Sequence, residues 1–481
     1  MRNILALIAL VVFPGMAAAA AVAPSGVGAK WAVHEWGTFT SLQDENGNAV
    51  GGINTDDEPV PKFVHRCADS LLLTPTQVPA IFFQGAPSCH PDGTMRLETP
   101  VLYFHPPVSQ PKAQGVKVKA TFRGGWLTEY FPAAEATAPG VRPGSDGGFG
   151  HLTGKTVSTL SWNDLKIGGA WAGPPTEQHV WTAPRAVEAA SVRTPDDEAE
   201  KFLFYRGVAH IDAPIRVVQE PDGNELVLKS QWSPASGGKP VLVRSLWLVD
   251  IREDGKIAYR PVPSLPLGGM TPDVVRTPAT FRSVDYGADN LPKLKTTLRD
   301  GLVAEGLFGD EADALLNTWE LSYFKSAGTR LFFLVPRAWT DTYLPLEVSV
   351  PSEITRVMVG RIELVTPKER NILRLIGRIP APVITNQVAQ LNKDYYAQIT
   401  RNGKGFEAMV EGKISLADFG IIVPESYQLY LRLGRFRNAL ALDEEKRRPT
   451  KGLGQMIDTY RLEGYVPKET LGELHASGTG S

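Results

Sequence analysis

Cysteine is nearly absent: Cys67 and Cys89 are the only two among 481 residues. Their spacing to the nearby histidines matches no zinc-finger pattern, and neither belongs to C-x-x-C-H, so covalent haem is not indicated. Excess charge of either sign is also lacking. Lys and Arg total 50 against 52 Asp and Glu, a net charge of -2. That balance removes the electrostatic case for nucleic acid or an anionic membrane surface as a partner. Behind the N-terminal leader no segment approaches ~20 uninterrupted apolar residues, so no membrane span is expected in the mature chain. Common catalytic signatures are missing too, with neither G-x-S-x-G nor H-E-x-x-H present. GHLTGKTVS contains Gly154-Lys155-Thr156, but Phe149 stands where a P-loop requires glycine.

What is present points first to export. Arg2, an apolar run from Ile4 to Phe13, Pro14-Gly15 and the small residues Ala17 to Ala23 read as a signal peptide over 1–23. An uncut anchoring helix is the alternative, and the apolar core is short for it. The mature chain is therefore expected in a bacterial-type periplasm or beyond. There, a lone cysteine pair reads as a Cys67–Cys89 disulfide, with a Cys₂His₂ site through His65 and His90 as the other option.

Composition is that of a globular protein, with 43% hydrophobic and 21% charged residues. At 481 residues two or three domains are expected. From Trp31 to about Leu267 the apolar period is two. GVKVKATF sets Val116, Val118, Ala120 and Phe122 on one face. Hairpins are expected around Pro221-Asp222-Gly223-Asn224 and Asp254-Gly255, and an Asn-Gly turn within Asp44 to Asn48. Residues 133–150 form a Pro/Gly/Ala-rich loop, and 55–59 and 194–200 are acidic loops. After about Pro292 helical spacing appears, with Asp310 as a helix N-cap and Thr366-Pro367-Lys368-Glu369 as a capping box. The pattern predicts a multidomain α+β protein. A β-rich, sandwich-like part (24–285) precedes a mixed strand and helix part (286–481).

Candidate chemistry lies in the first part, because seven of the eight histidines precede residue 211. In WAVHEWGTFT, period two puts His34, Trp36, Thr38 and Thr40 on one face and Glu35 on the other. His105 shares a face with Tyr103 and Val101, and His210 follows in AHID. Glu129, flanked by aromatics, and Arg206, in FLFYRG, complete the set. Read functionally, His34, His105 and His210 are divalent-metal ligands or proton-transfer groups. Glu35 or Glu129 is then the base, and Arg206 stabilises developing negative charge. Read structurally, each histidine is a core residue with one backbone partner and each glutamate an arginine-paired support.

The stretches HEWGTFTS (34–41), ETPVLYF (98–104), GWLTEYFP (125–132), FLFYRG (202–207), RAWTDTYLPL (337–346) and RVMVGRIELVTP (356–367) resemble those of a family of exported bacterial proteins. The likeness spans nearly the whole mature chain. It implies that the two halves form one architecture, and it brings no activity or catalytic residue with it. Two expectations stand. One is an exported hydrolase-type enzyme with a His/Glu site, with or without a divalent metal, acting on a small-molecule or polymer ligand. The other is a non-catalytic binding module using Trp36, Trp126 and Trp171 as a ligand platform.

Overall fold

The computed structural model describes residues 30–53, 60–67, 89–142, 148–234, 239–269, 274–402, 420–467 and 475–476. The expected signal peptide (1–23) and the acidic loop at 55–59 lie outside the described residues.

The alternation at Val116 to Phe122 builds the strand Ala113–Arg123, whose apolar face is buried while Lys117, Lys119 and Arg123 are exposed. Both expected hairpins form: Ile215–Gln219 with Glu225–Ser230, and Leu246–Ile251 with Ile257–Val262. Asp44 accepts the backbone N–H groups of Asn46 and Asn48 around Gly47, closing the Asn-Gly turn. The helix Pro367–Arg378 starts at Thr366, which accepts from the Lys368 N–H while Glu369 accepts from the Thr366 N–H. The second helix expected after residue 292 begins two residues earlier than its expected N-cap, Asp310, implies. Its N-cap is Phe308, and Asp310 sits inside the first turn of Gly309–Thr318.

Among the described residues, nine strands make the main sheet. In spatial order they are Ile257–Val262, Leu246–Ile251, Gly328–Val335, Ser352–Leu364, Trp31–Gln43, Met95–His105, Leu203–Ala209, Gly125–Phe131 and His65–Arg66. Trp31–Gln43 holds the centre, parallel to Ser352–Leu364 and antiparallel to Met95–His105. The sheet thus runs across the 285/286 division that the change of period suggested, joining strands from both sides of it. The architecture is mixed α+β and strand-rich.

Both faces of this sheet are covered. One carries Val33, Phe39, Leu97, Leu331 and Met358 against the buried side of a seven-stranded sheet that includes Ala113–Arg123 and Val157–Gly169. The other carries Trp36, Tyr103, Phe332 and Val357 against Leu298, Leu315 and Trp319 of a helical layer. A strand covered on both sides has no solvent face, and every residue from Val33 to Gln43 is buried. At one end of the sheet the C-terminal helices close a third core, in which Ile376, Met456 and Tyr460 meet Leu42 and Val365. The segment 133–150 contributes Ala136, Val141 and Phe149 to the sandwich core, so its described part is anchored rather than free of the core.

No disulfide forms. Cys67 and Cys89 are both free and buried. Cys67 follows the edge strand of the main sheet, with its thiol 3.4 Å from the Leu127 carbonyl. Cys89 is held instead beside Gly52 and the Asn438 side chain, toward the C-terminal helices. The two belong to different packing environments, which is why proximity in sequence misleads here.

Candidate functional site

The site begins with register. On the central strand His34 stands opposite Tyr103, so His105, two residues further along the antiparallel neighbour, is its diagonal partner on the same face. The ring centroids are 5.0 Å apart. That face looks onto the helical layer, where Gly309–Thr318 begins. Glu311 occupies the third helical position, and its Oε2 accepts the Phe308 N–H at 2.7 Å, the carboxylate half of a capping box. This bond fixes the carboxylate at the mouth of the helix. His34 Nδ1 lies 2.8 Å from Oε2, and His105 Nε2 lies 3.0 Å from Oε1. The Phe308 ring covers both imidazoles, at 4.6 and 4.8 Å between centroids.

One ligand atom from each of His34, His105 and Glu311 lies within 4.8 Å of the other two. Among the described residues this is the one group of three such side chains that meets that condition. The Glu311 side chain is fully buried, His34 is 6% exposed, and His105 at 14% is the open side. Burial alone would raise the Glu311 carboxyl, but the hydrogen bonds from His105 and His34 outweigh it and hold the group at about 2. Beside it, Tyr103 is pushed well above its ordinary value by burial and then by the Glu311 charge; its hydroxyl donates to the Pro184 carbonyl at 3.0 Å. An anionic carboxylate facing two imidazoles can bind a divalent cation through N, N and O, or pass a proton between the rings.

The other expected site residues lie elsewhere. Glu35, on the opposite face as period two requires, accepts from the Tyr205 hydroxyl and from Arg356 Nε at 2.6 Å, and Arg356 also reaches Asp341 at 2.9 Å. Glu129 is held by Arg66 Nε at 2.8 Å and by the fully buried Arg206. These are buried ion pairs in which each charge already has its partner, so Glu35, Glu129 and Arg206 do not join His34. His210 is exposed, with Nδ1 2.8 Å from the Asp92 carbonyl, and Glu311 takes the third place expected of it. The aromatic platform is not assembled either. Trp36 and Trp126 are sealed in two different cores, and Trp171 is half-buried under Arg193.

No protein-family model and no curated protein matches the sequence. Among solved structures, the Fcho1 mu homology domain of Danio rerio with bound Eps15 peptide is similar at 7% identity and TM-score 0.27, over 70% of this chain and 97% of that one. A yeast delta-COP-I mu-homology domain complexed with a Dsl1 WxWxV peptide is similar at 8% identity and TM-score 0.23, over 70% and 96%. At those scores the likeness transfers neither fold nor ligand.

Proposed function

We propose that His34, His105 and Glu311 hold a divalent transition-metal ion, and that the protein is an exported hydrolase-type enzyme working through it. The observation that carries the reading is the convergence of three ligand atoms, from two strands and a helix start, within 4.8 Å of one another. Two imidazoles and one carboxylate are the ligand types of catalytic zinc sites that keep a position open for water. A metal bound there would supply an activated water and polarise a substrate carbonyl or phosphoryl oxygen. The chain's own contribution is orientation. The Phe308 N–H fixes the carboxylate, sheet register fixes the rings, and Phe308 shields the group from bulk water on one side. The leader at 1–23 supports export.

The test is metal content joined to turnover. Protein recovered from the periplasm without chelator is expected to carry about one divalent ion per chain, and Glu311→Gln and His105→Ala to carry almost none. Hydrolysis of a panel of chromogenic esters and phosphoesters should stop on chelation and return with the ion. Wild-type protein that neither retains nor takes up a divalent ion contradicts the metal centre. Metal without turnover leaves the ion but removes the hydrolase.

A further inference from the structure

Three neighbouring strands of the main sheet present side chains on the face that carries His34. Ala32 precedes His34 by two residues on the central strand, so it shares that face. Its partners in register are His105 on the antiparallel neighbour and Glu353 on the parallel one. Glu353 therefore mirrors His105 across the central strand: level with Ala32, diagonal to His34.

Alternation along Ser352–Leu364 puts Glu353 on the same side of the sheet. Val357 and Val359 pack into the helical-layer core, while Ile354 and Met358 pack into the sandwich core, so Glu353 and Thr355 face the helical layer. Arg356, on the other face, is the partner of Glu35. Gly306, in the turn that leads to Phe308, passes over Thr355, and a Cβ there would lie 3.2 Å from the threonine Cγ2. The turn that sets Phe308 over the two imidazoles thus crosses the third strand as well.

Ala32 keeps this row open. Its side chain ends at Cβ, half-buried, between His105 and Glu353. Adjacent strands lie ~4.8 Å apart, so the two flanking Cα atoms are about 10 Å apart with only a methyl group between them. His105 is the open side of the His34 centre. Glu353 is exposed, and among the described residues its carboxylate makes no hydrogen bond or ion pair. A diagonal neighbour about 7–8 Å away is within reach of a long side chain, so Glu353 can extend over Ala32 toward the centre.

Other polar groups around the centre are committed. The two Asp310 oxygens accept the backbone N–H groups of Glu188 at 2.9 Å and of Glu311 at 3.0 Å. The Tyr103 hydroxyl donates to the Pro184 carbonyl. His34, His105 and Glu311 face one another. A hydrolytic centre also works through a group that takes a proton from the attacking water.

We propose that Glu353 is the general base of the His34 centre, a role that rests on the hydrolase reading. As the water oxygen bonds the carbonyl carbon or phosphorus of the substrate, the Glu353 carboxylate accepts one of the water's protons. It returns that proton to the leaving oxygen as the bond to that oxygen breaks, so Glu353 ends as a carboxylate again. The competing role for Glu353 is a surface ion pair with Lys30, which is exposed and lies two residues before Ala32 on the same face.

Glu353→Gln decides between them, assayed with whichever chromogenic ester or phosphoester the wild type turns over. Its kcat should fall about 100-fold or more, with KM within about twofold. The variant should still hold one divalent ion per chain and melt at the wild-type temperature, because Glu353 neither ligates the ion nor supports the fold. A variant that keeps its kcat overturns the proposal and leaves the hydrolase reading intact. Loss of the ion in the variant also overturns it and makes Glu353 a ligand. Wild-type protein that holds an ion without turnover removes the hydrolase reading and this role together.

Discussion

His34 and Glu35 are consecutive in the chain, and the main sheet separates them. His34 turns to the helical layer and meets Glu311 at 2.8 Å, while Glu35 turns to the sandwich and meets Arg356 at 2.6 Å. One dipeptide therefore supplies chemistry to one side of the sheet and an ion pair to the other. Thr355 and Arg356 on the parallel neighbour stand opposite the two, so the same register places both.

Glu35→Gln is expected to act on stability alone. It leaves the Arg356 guanidinium buried, with only the half-exposed Asp341 as its anionic partner. Loss of one partner of a buried pair costs about 3–5 kcal/mol. Urea unfolding should show that loss, while the folded fraction keeps the metal content of the wild type. His34→Ala should do the reverse and release the ion. A Glu35→Gln protein that folds normally but loses metal would place Glu35 in the site.

Acid should weaken the fold through specific carboxylates. Glu311 and Glu98 are lowered in the folded chain from 4.5 to about 2. A depressed folded value stabilises the fold at pH above the ordinary carboxylate range, and that stability is lost as pH falls from about 5 toward 2. For metal-free protein, the drop in unfolding free energy across this window should be smaller in Glu311→Gln by about 2–3 kcal/mol. An identical acid profile would mean that Glu311 is not held ionised by His34 and His105.

Thiol chemistry checks the cysteine assignment. Burial pushes the Cys67 and Cys89 thiols up to about 12, so neither supplies thiolate at neutral pH. Ellman titration is expected to find no reactive thiol in the native protein and both after denaturation without reductant. Reductant should leave the melting temperature unchanged. Denatured protein that shows no free thiol would restore the disulfide.

The leader assignment is read out by the mature N-terminus. Expressed with its full sequence in a Gram-negative host, the protein should appear in the periplasm starting at or just before Pro24. An uncleaved, membrane-bound chain would favour the anchoring helix.

Much of the fold was legible because period two and turn chemistry are local. The Val116–Phe122 alternation, the Asp254-Gly255 hairpin and the Thr366–Glu369 capping box each needed only their own neighbours. The opposed faces of His34 and Glu35 followed from the same rule. Joining Trp31–Gln43 to Ser352–Leu364 was not legible, because a parallel pairing between strands more than 300 residues apart leaves no local mark. The same holds for Glu311. Its only sequence sign is an acidic residue in the first turn of a helix, which favours the helix dipole and marks no site. His210 was favoured over it because composition can rank histidines but cannot rank distances. The cysteine pair failed for a related reason: 22 residues of separation in sequence became two separate packing environments. Gly37 shows how exacting the motif is. A Cβ there would lie 3.0 Å from the Pro100 Cα, at the bulge between the two histidine-bearing strands.

Anomalous diffraction at the zinc edge, from crystals of full-length protein grown with Zn²⁺, addresses the metal centre directly. A single strong peak is expected about 2.0–2.2 Å from His34 Nδ1, His105 Nε2 and a Glu311 carboxylate oxygen, with the two imidazoles parted from their hydrogen bonds to the carboxylate. No peak at that position, with both imidazoles still bonded to Glu311, would contradict it and make the trio a structural tie between helix and sheet.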